Sequence, residues 1–286
     1  MRFLSKGLLV MLLACSVSIT KINARDCEEQ CNMNCYECGC NPLYCGAFDL
    51  QFQGGIAPIL WRNRDEFTNV NCEGFENPLV SLVQIPKFRT FFKLPWTVGG
   101  QVGYAWSDNT RVYLEFNYLQ ANSKNNPSIV TTNPLFVEPE TLIFTLSKYK
   151  LFDAYVGARY YWDRWCDRVS FFLGAKVGLT HHKRVNFALG ITTPSAPTVV
   201  VVIPAGTSLF NRNTVVSGGG NFGLDICFCG NWSLVITGEV VASCGPNGNP
   251  NVVLVPTQGT TATNFLVGHI GTELRFPVTA AIRYSF

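Results

Sequence analysis

The sequence predicts an all-β chain that folds as an antiparallel transmembrane β-barrel of eight strands with long external loops. Three observations carry this: apolar side chains at every second position in eight segments, an alternation of short and long links between them, and a shortage of charge. Charged residues are only 14% of the 286, against about 25% in a typical soluble domain. The 47% hydrophobic and 13% aromatic content excludes a disordered chain. With 25 Gly, 15 Pro and only 3 Met, a soluble helical enzyme fits poorly.

Residues 1–24 read as an export signal. Arg2 and Lys6 form the positive start, Gly7 to Cys15 the apolar run, and Ala24 offers a small residue for cleavage. Leu12-Leu13-Ala14-Cys15 supports a second reading, lipidation at Cys15, and both readings export the chain. Cleavage after Ala24 removes Arg2, Lys6 and Lys21 and no acid, leaving 19 basic residues against 19 acidic ones. The mature chain is thus formally neutral, and no argument for a nucleic-acid partner survives.

Residues 25–46 form a cysteine-rich segment expected in the periplasm. Cys27, Cys31, Cys35, Cys38, Cys40 and Cys45 precede the first strand, and Cys72, Cys166, Cys227, Cys229 and Cys244 follow it. The expected topology puts the first six with Cys166, Cys227 and Cys229 on the periplasmic side. It puts Cys72 and Cys244 at the outer side, as a candidate internal disulfide. Eleven cysteines remain after loss of Cys15, an odd number, so one thiol stays free, binds something or pairs between chains. Zinc is the alternative for the cluster, because Cys35-x-x-Cys38 has ligand spacing; the spacing is not repeated as a double site would need.

From residue 47 to 286 the period is two. Phe48, Leu50 and Phe52 open the first segment, Val98, Val102 and Tyr104 the second, and Val112, Leu114 and Phe116 the third. Phe152, Val156 and Tyr160 mark the fourth, Phe171, Leu173 and Val177 the fifth, and Val216, Phe222 and Leu224 the sixth. Trp232, Ile236 and Val240 mark the seventh, and Leu274, Val278 and Ile282 the eighth. No charge falls in this register. Asp49, Glu115, Asp153, Arg159, Lys176, Asp225, Glu239 and Arg283 all fall in the opposite one. A soluble sandwich would carry its charges on a water-facing surface; here single charges among Gly, Ser, Asn and Tyr fit a polar lumen behind a lipid-facing wall.

The links agree with that reading. Segments two and three join through Ser107–Thr110, four and five through Asp163–Arg168, and six and seven through Cys229–Asn231. Residues 62–96, 120–147, 181–213 and 245–272 form the long links, as external loops do. The six Trp, at 61, 96, 106, 162, 165 and 232, fall at segment ends, where interfacial girdles belong.

The chain ends Ala280-Ala281-Ile282-Arg283-Tyr284-Ser285-Phe286. This closing strand resembles that of bacterial outer-membrane proteins, and Phe152 to Tyr161 resembles the small barrels of the OmpA/OmpX type. The resemblance implies an outer-membrane location, contact with membrane lipid, and an assembly signal at Tyr284 and Phe286 read by the barrel-assembly machinery. In composition, size and location the chain also resembles the cysteine-rich major outer membrane proteins of chlamydia-like bacteria, which implies cross-linking to envelope proteins or to itself.

Functional motifs are sparse, and no cofactor is expected. His181, His182, Ser208, Ser243 and Glu273 fall at outer strand ends, where a lipid-modifying enzyme would need a nucleophile, a base and an acid. The plainer reading makes His181-His182-Lys183-Arg184 a solvated loop root. Ser217-Gly218-Gly219-Gly220-Asn221 has no following helix to make a phosphate site. Eight strands leave a bore that side chains can fill, so Arg159, Lys176 and Arg283 are expected to pair with the lumen carboxylates. The expected function is structural and surface-interacting: the apolar loops extend the barrel walls as hairpins and either meet a partner surface, a host ligand or a neighbouring copy, or pack on each other. A porin is the alternative, and would need an open lumen or ten or more strands, with part of residues 79–96 or 188–210 forming the extra ones.

Overall fold

The structure, a computed structural model, describes residues 45–64, 66–70, 83–84, 87–125, 128–131, 140–162, 169–193, 196–229, 231–248, 252–254, 263–266 and 270–286. In chain order it begins with β1 (Phe48–Ile56), β2 (Ile59–Arg64), β3 (Glu66–Val70), β4 (Val83–Gln84) and one helical turn, α1 (Phe88–Phe91). Next come β5 (Trp96–Ser107), β6 (Thr110–Ala121), β7 (Ser128–Thr131), β8 (Glu140–Leu146), β9 (Tyr149–Tyr161) and β10 (Val169–His182). Then follow β11 (Val185–Thr193), β12 (Ala196–Phe210), β13 (Asn213–Cys229) and β14 (Trp232–Ser243). The last are β15 (Val252–Leu254), β16 (Thr263–Leu266), β17 (Ile270–Arg275) and β18 (Val278–Ser285).

Eight strands close on themselves in the order β13-β10-β9-β6-β5-β1-β18-β14, and β14 pairs back onto β13. Every pairing around this ring is antiparallel. The register is staggered. Moving from Gln51 across successive partners passes Gln101, Glu115, Tyr155, Gly178, Ser217, Ser243 and Glu273, and arrives at Trp61, ten residues further along the first strand. A shear of that size over eight strands tilts them by about 40°. It also brings β18 against β1, from Asp49↔Ser285 to Ile56↔Val278.

The first and last strands run further than their apolar alternation shows. Pro58 and Pro277 lack an N–H and interrupt both ladders at one level, yet the register persists from Ile56↔Val278 below the break to Ile59↔Arg275 above it. Carbonyls keep the gap bonded, with Phe276 N–H donating to Pro58 O at 2.9 Å. β2 and β17 therefore continue the wall outward.

The two faces of the wall separate as the alternation predicts. Phe52 is 73% exposed and Val102, Leu114, Phe116, Leu173 and Phe222 are likewise exposed, while their neighbours Gln51, Gln53, Gln101, Glu115 and Asn221 are buried. In water that surface would be a large apolar liability; in hydrocarbon it suits a closed barrel, whose ring of paired strands leaves no open edge to the lipid. Trp106, Trp162 and Trp232 are exposed near the short-turn end and Trp96 near the long-loop end. The wall is therefore that of a closed transmembrane β-barrel.

Trp61 departs from the expected girdle: it is buried and faces inward, because it lies on β2, in the lumen register set by Gln51 and Gln53. Trp165 lies outside the described residues. The long links build hairpins as expected, forming two four-stranded sheets, β12-β11-β8-β7 and β15-β16-β3-β4, separate from the barrel. Of residues 188–210, those described lie in β11 and β12 of the first sheet and add no strand to the barrel wall.

Candidate functional site

The interior is filled by charge. All eight expected lumen residues, Asp49, Glu115, Asp153, Arg159, Lys176, Asp225, Glu239 and Arg283, are buried inside the barrel. Arg111, Glu273 and Arg275, absent from the expected set, are buried with them. Five cations therefore face six carboxylates among the described residues. The missed residues carry the same signal as the others: each sits one position from an outward apolar residue, Val112 or Leu274.

At the short-turn end Arg111 grips Asp49 with both arms, Nε donating to Oδ2 at 2.6 Å and Nη2 donating to Oδ1. Its Nη1 donates to Gln101 Oε1 at 3.1 Å. Gly103 makes the space, since a Cβ there would lie 2.3 Å from Arg111 Nε and 2.4 Å from Asp49 Oδ2. Arg283 pairs with Asp225 at 2.5 Å and donates to Tyr161 and Ser233. Arg159 is held differently, between the rings of Tyr113 and Phe172 with centroids 4.7 and 4.6 Å from its guanidinium carbon. Its three nitrogens have no hydrogen-bond partner. A cation desolvated between two ring faces is stabilised by their quadrupoles.

Halfway along, Lys176 Nζ donates to Glu115 and to Glu239 at 2.7 Å each. Glu115 also accepts from Gln101 Nε2 at 2.8 Å and from Asn117 Nδ2. A chain of amides continues to the first strand, Gln53 donating to Asn117 at 2.8 Å and Gln51 to Gln53 at 3.1 Å. Nearer the outer end Arg275 donates to Asp153 at 2.7 Å, to Tyr155 at 2.9 Å and to Thr180 at 2.8 Å. A cavity between Lys176, Glu239 and Arg275 measures about 10 Å³, room for one water molecule.

Above Arg275 the chemistry turns aromatic. Glu273 Oε2 accepts from Tyr149 Oη at 2.5 Å and from Trp61 Nε1 at 3.0 Å. Tyr149 has one proton and spends it on Glu273, so His182, 2.9 Å from the same oxygen, donates through Nδ1–H. The mouth over this cluster is closed by Phe88 and Phe91 of α1 together with Phe92, Phe144, Phe187 and Phe210, all buried. Their rings meet edge to face: Trp61 lies 5.0 Å from Phe88 and 5.7 Å from Phe210, and Phe91 lies 5.2 Å from Phe144.

The outer-end residues are sorted by this geometry. His182 is fully buried beside Tyr149, which corrects the solvated-root reading of His181-His182-Lys183-Arg184. Strand alternation turns His181 outward instead, where its Nδ1 meets Thr214 Oγ1 at 2.8 Å. Ser243 stands opposite Glu273 in the ladder, and Ser208 bonds within its own turn to Phe210 O. Tyr149 thus links His182 to Glu273, and His181 and Ser208 lie apart from them.

Of the cysteines, Cys45 is half-buried at the start of the barrel, Cys227 is buried, Cys229 ends β13, and Cys244 is an exposed free thiol just past β14. Cys27, Cys31, Cys35, Cys38, Cys40, Cys72 and Cys166 lie outside the described residues, and so does the zinc alternative; the expected Cys72–Cys244 disulfide is not formed, because Cys244 is free. Tyr284 packs its ring on Trp232 at 4.7 Å and on Phe286 at 5.0 Å, and Phe286 N–H donates to Phe48 O at 2.8 Å.

No protein-family model matches the chain, and no curated protein does. Solved structures do. Neisserial surface protein A is 14% identical, with 84% of this chain and 99% of that one covered and a TM-score of 0.41. Ail, the attachment invasion locus protein of Yersinia pestis, solved with the heparin analogue sucrose octasulfate, is 10% identical, covering 85% and 99% with a TM-score of 0.36. The N-terminal β-barrel domain of Pseudomonas aeruginosa OprF is 12% identical, covering 87% and 100% with a TM-score of 0.31.

Proposed function

We propose that this outer-membrane barrel is a closed structural element of the envelope that presents surface loops, and that it passes no solute through its bore. The lumen network carries this reading. Arg111–Asp49, Lys176 between Glu115 and Glu239, Arg275–Asp153 and Arg283–Asp225 occupy the bore at successive levels, and an aromatic lid lies over them. Opening a path would strand charges in a low-dielectric interior, which is costly unless water replaces every partner. The test is purified protein in a planar bilayer. Silence at the level of the bare membrane is expected, and stable discrete conductance would overturn the reading in favour of a porin.

The cysteines favour a second element of the same reading, disulfide stabilisation or cross-linking to self or to other envelope proteins. An odd number of thiols in an exported chain supports it. Electrophoresis with and without reductant tests it: reductant-sensitive multimers are expected, and a monomer indifferent to reductant would remove cross-linking. The two sheets beyond the barrel supply the surface for a host ligand. Tyr284 and Phe286, packed on the closing seam, are read as the address recognised by the assembly machinery.

A further inference from the structure

Among the described residues outside the lumen, the exposed cations gather at one end of the barrel. Lys93, Lys124, Lys148, Lys183 and Arg184 are exposed and Lys150 half-buried, all flanking strand ends at the long-loop rim. Among the residues whose side chains are described, the one exposed carboxylate is Asp108, in the β5–β6 turn at the opposite end. The rim stands directly above the apolar wall, at the depth where an outer leaflet carries its headgroups.

A groove runs down the wall from this rim. Ala154 is small beside Val98, Phe116, Phe152 and Leu179, and the recess they leave is about 530 Å³, headed by His181 and Thr214. The head of the groove is organised. Lys183 N–H donates to Lys150 O at 3.0 Å, a backbone bond that sets the two residues side by side. Lys183 Nζ then lies 4.9 Å from the Phe152 ring centroid. Trp96, Tyr118 and Phe152 form a row of rings with centroids 5.6 and 4.9 Å apart.

The geometry points to a docking site for a phosphorylated, acylated lipid of the outer leaflet, its phosphate on Lys150 and Lys183 and one acyl chain in the groove over Ala154. Charge complementarity selects an anion, because ammonium groups bind phosphate as point charges, and no described acidic side chain competes at that rim. Continuity with the hydrocarbon-facing groove selects an amphiphile over a soluble polyanion, which would gain nothing from the apolar recess. The site lies on the outer wall and is independent of what the lumen does.

The test uses full-length folded protein in zwitterionic detergent and native mass spectrometry, with bisphosphorylated lipid A as the probe and its dephosphorylated form as control. The unmodified protein is expected to retain the phosphorylated lipid at least tenfold better than the control. Lys150→Gln with Lys183→Gln should abolish that preference, and Ala154→Leu, which fills the groove, should lower retention of both lipids. Heat-dependent gel mobility verifies that the variants are folded, and the two lipids compared on unmodified protein decide the matter even where a variant does not fold. Equal retention of the two lipids would overturn the proposal. So would binding of a soluble sulfated glycan with an affinity that Ala154→Leu leaves unchanged, which would assign the rim to a water-borne polyanion.

Discussion

Replacing Lys176 by methionine removes the single ammonium that stands 2.7 Å from both Glu115 and Glu239 and leaves two buried carboxylates without their shared cation. Glu115 keeps amide hydrogen bonds from Gln101 and Asn117, whereas among the described residues Glu239 accepts from Lys176 alone, through Oε2, and its Oε1 has no partner, so the loss falls mainly on Glu239. Taking one member from a buried ion pair costs about 3–5 kcal/mol. With a urea dependence of about 2 kcal/mol per molar, a loss of about 4 kcal/mol lowers the unfolding midpoint by about 2 M. The assay is reversible urea titration of the barrel in phosphatidylcholine vesicles, followed by tryptophan emission. Adding Glu239→Gln to Lys176→Met should restore about 2 kcal/mol, since a neutral amide tolerates the vacancy better than a carboxylate. A Lys176→Met midpoint within about 0.3 M of the unmodified protein, equivalent to under 1 kcal/mol, would refute the claim that Lys176 and its two carboxylates are tightly coupled.

Other outcomes follow from the same geometry. Arg159→Met should cost less than about 1 kcal/mol, because the guanidinium it removes makes no hydrogen bond and the thioether still packs on Tyr113 and Phe172; Arg111→Met should cost about 3 kcal/mol in the same titration. Gly103→Ala should destabilise by more than the usual glycine-to-alanine effect, with its Cβ directed at the Arg111–Asp49 pair, and the deficit should shrink in an Arg111→Met background. Phe91→Ala should cost about 3–5 kcal/mol by emptying part of the lid while leaving a planar bilayer silent, since the ion pairs beneath still fill the bore; discrete openings in that variant would make the lid the only barrier. Deleting Phe286 should lower the amount of heat-modifiable protein in cells more than it lowers refolding yield in vesicles, and equal losses would make the residue structural alone.

The wall was legible because alternation is a local property: each segment states its own faces, and the pleat enforces them. The outward register of Phe48 to Ile56, Val98 to Trp106 and Val278 to Phe286 holds residue by residue in the folded barrel. The same rule reaches Arg111, Glu273 and Arg275, provided a strand is allowed to run past its last large apolar residue. Which cation meets which carboxylate is another matter. Arg275 meets Asp153 from a strand four places around the ring, and such a pairing depends on shear, which no single segment encodes. The lid was hidden for a related reason. Phe88, Phe91, Phe144, Phe187 and Phe210 come from three different long links, and their apolar character reads equally well as a surface for a partner. Trp61 and His182 follow the alternation but sit where links were expected to begin, so position in the chain misled where register did not.

The lumen pairs have a further consequence, in time. Arg111–Asp49, Lys176–Glu115, Lys176–Glu239, Arg275–Asp153 and Arg283–Asp225 all join strands that are not neighbours in the wall. Four of them skip a single strand and Arg275–Asp153 spans four places around the ring, so it is the curling of the sheet that brings the partners together, and the set is complete only when β18 docks against β1 and the tube shuts. Interactions that arise after the rate-limiting step slow the reverse reaction and leave the forward one almost unchanged. Lys176→Met should accordingly speed escape from the folded state far more than it slows entry. The filled bore acts as a latch, and what it sets is the lifetime of a barrel once it has closed.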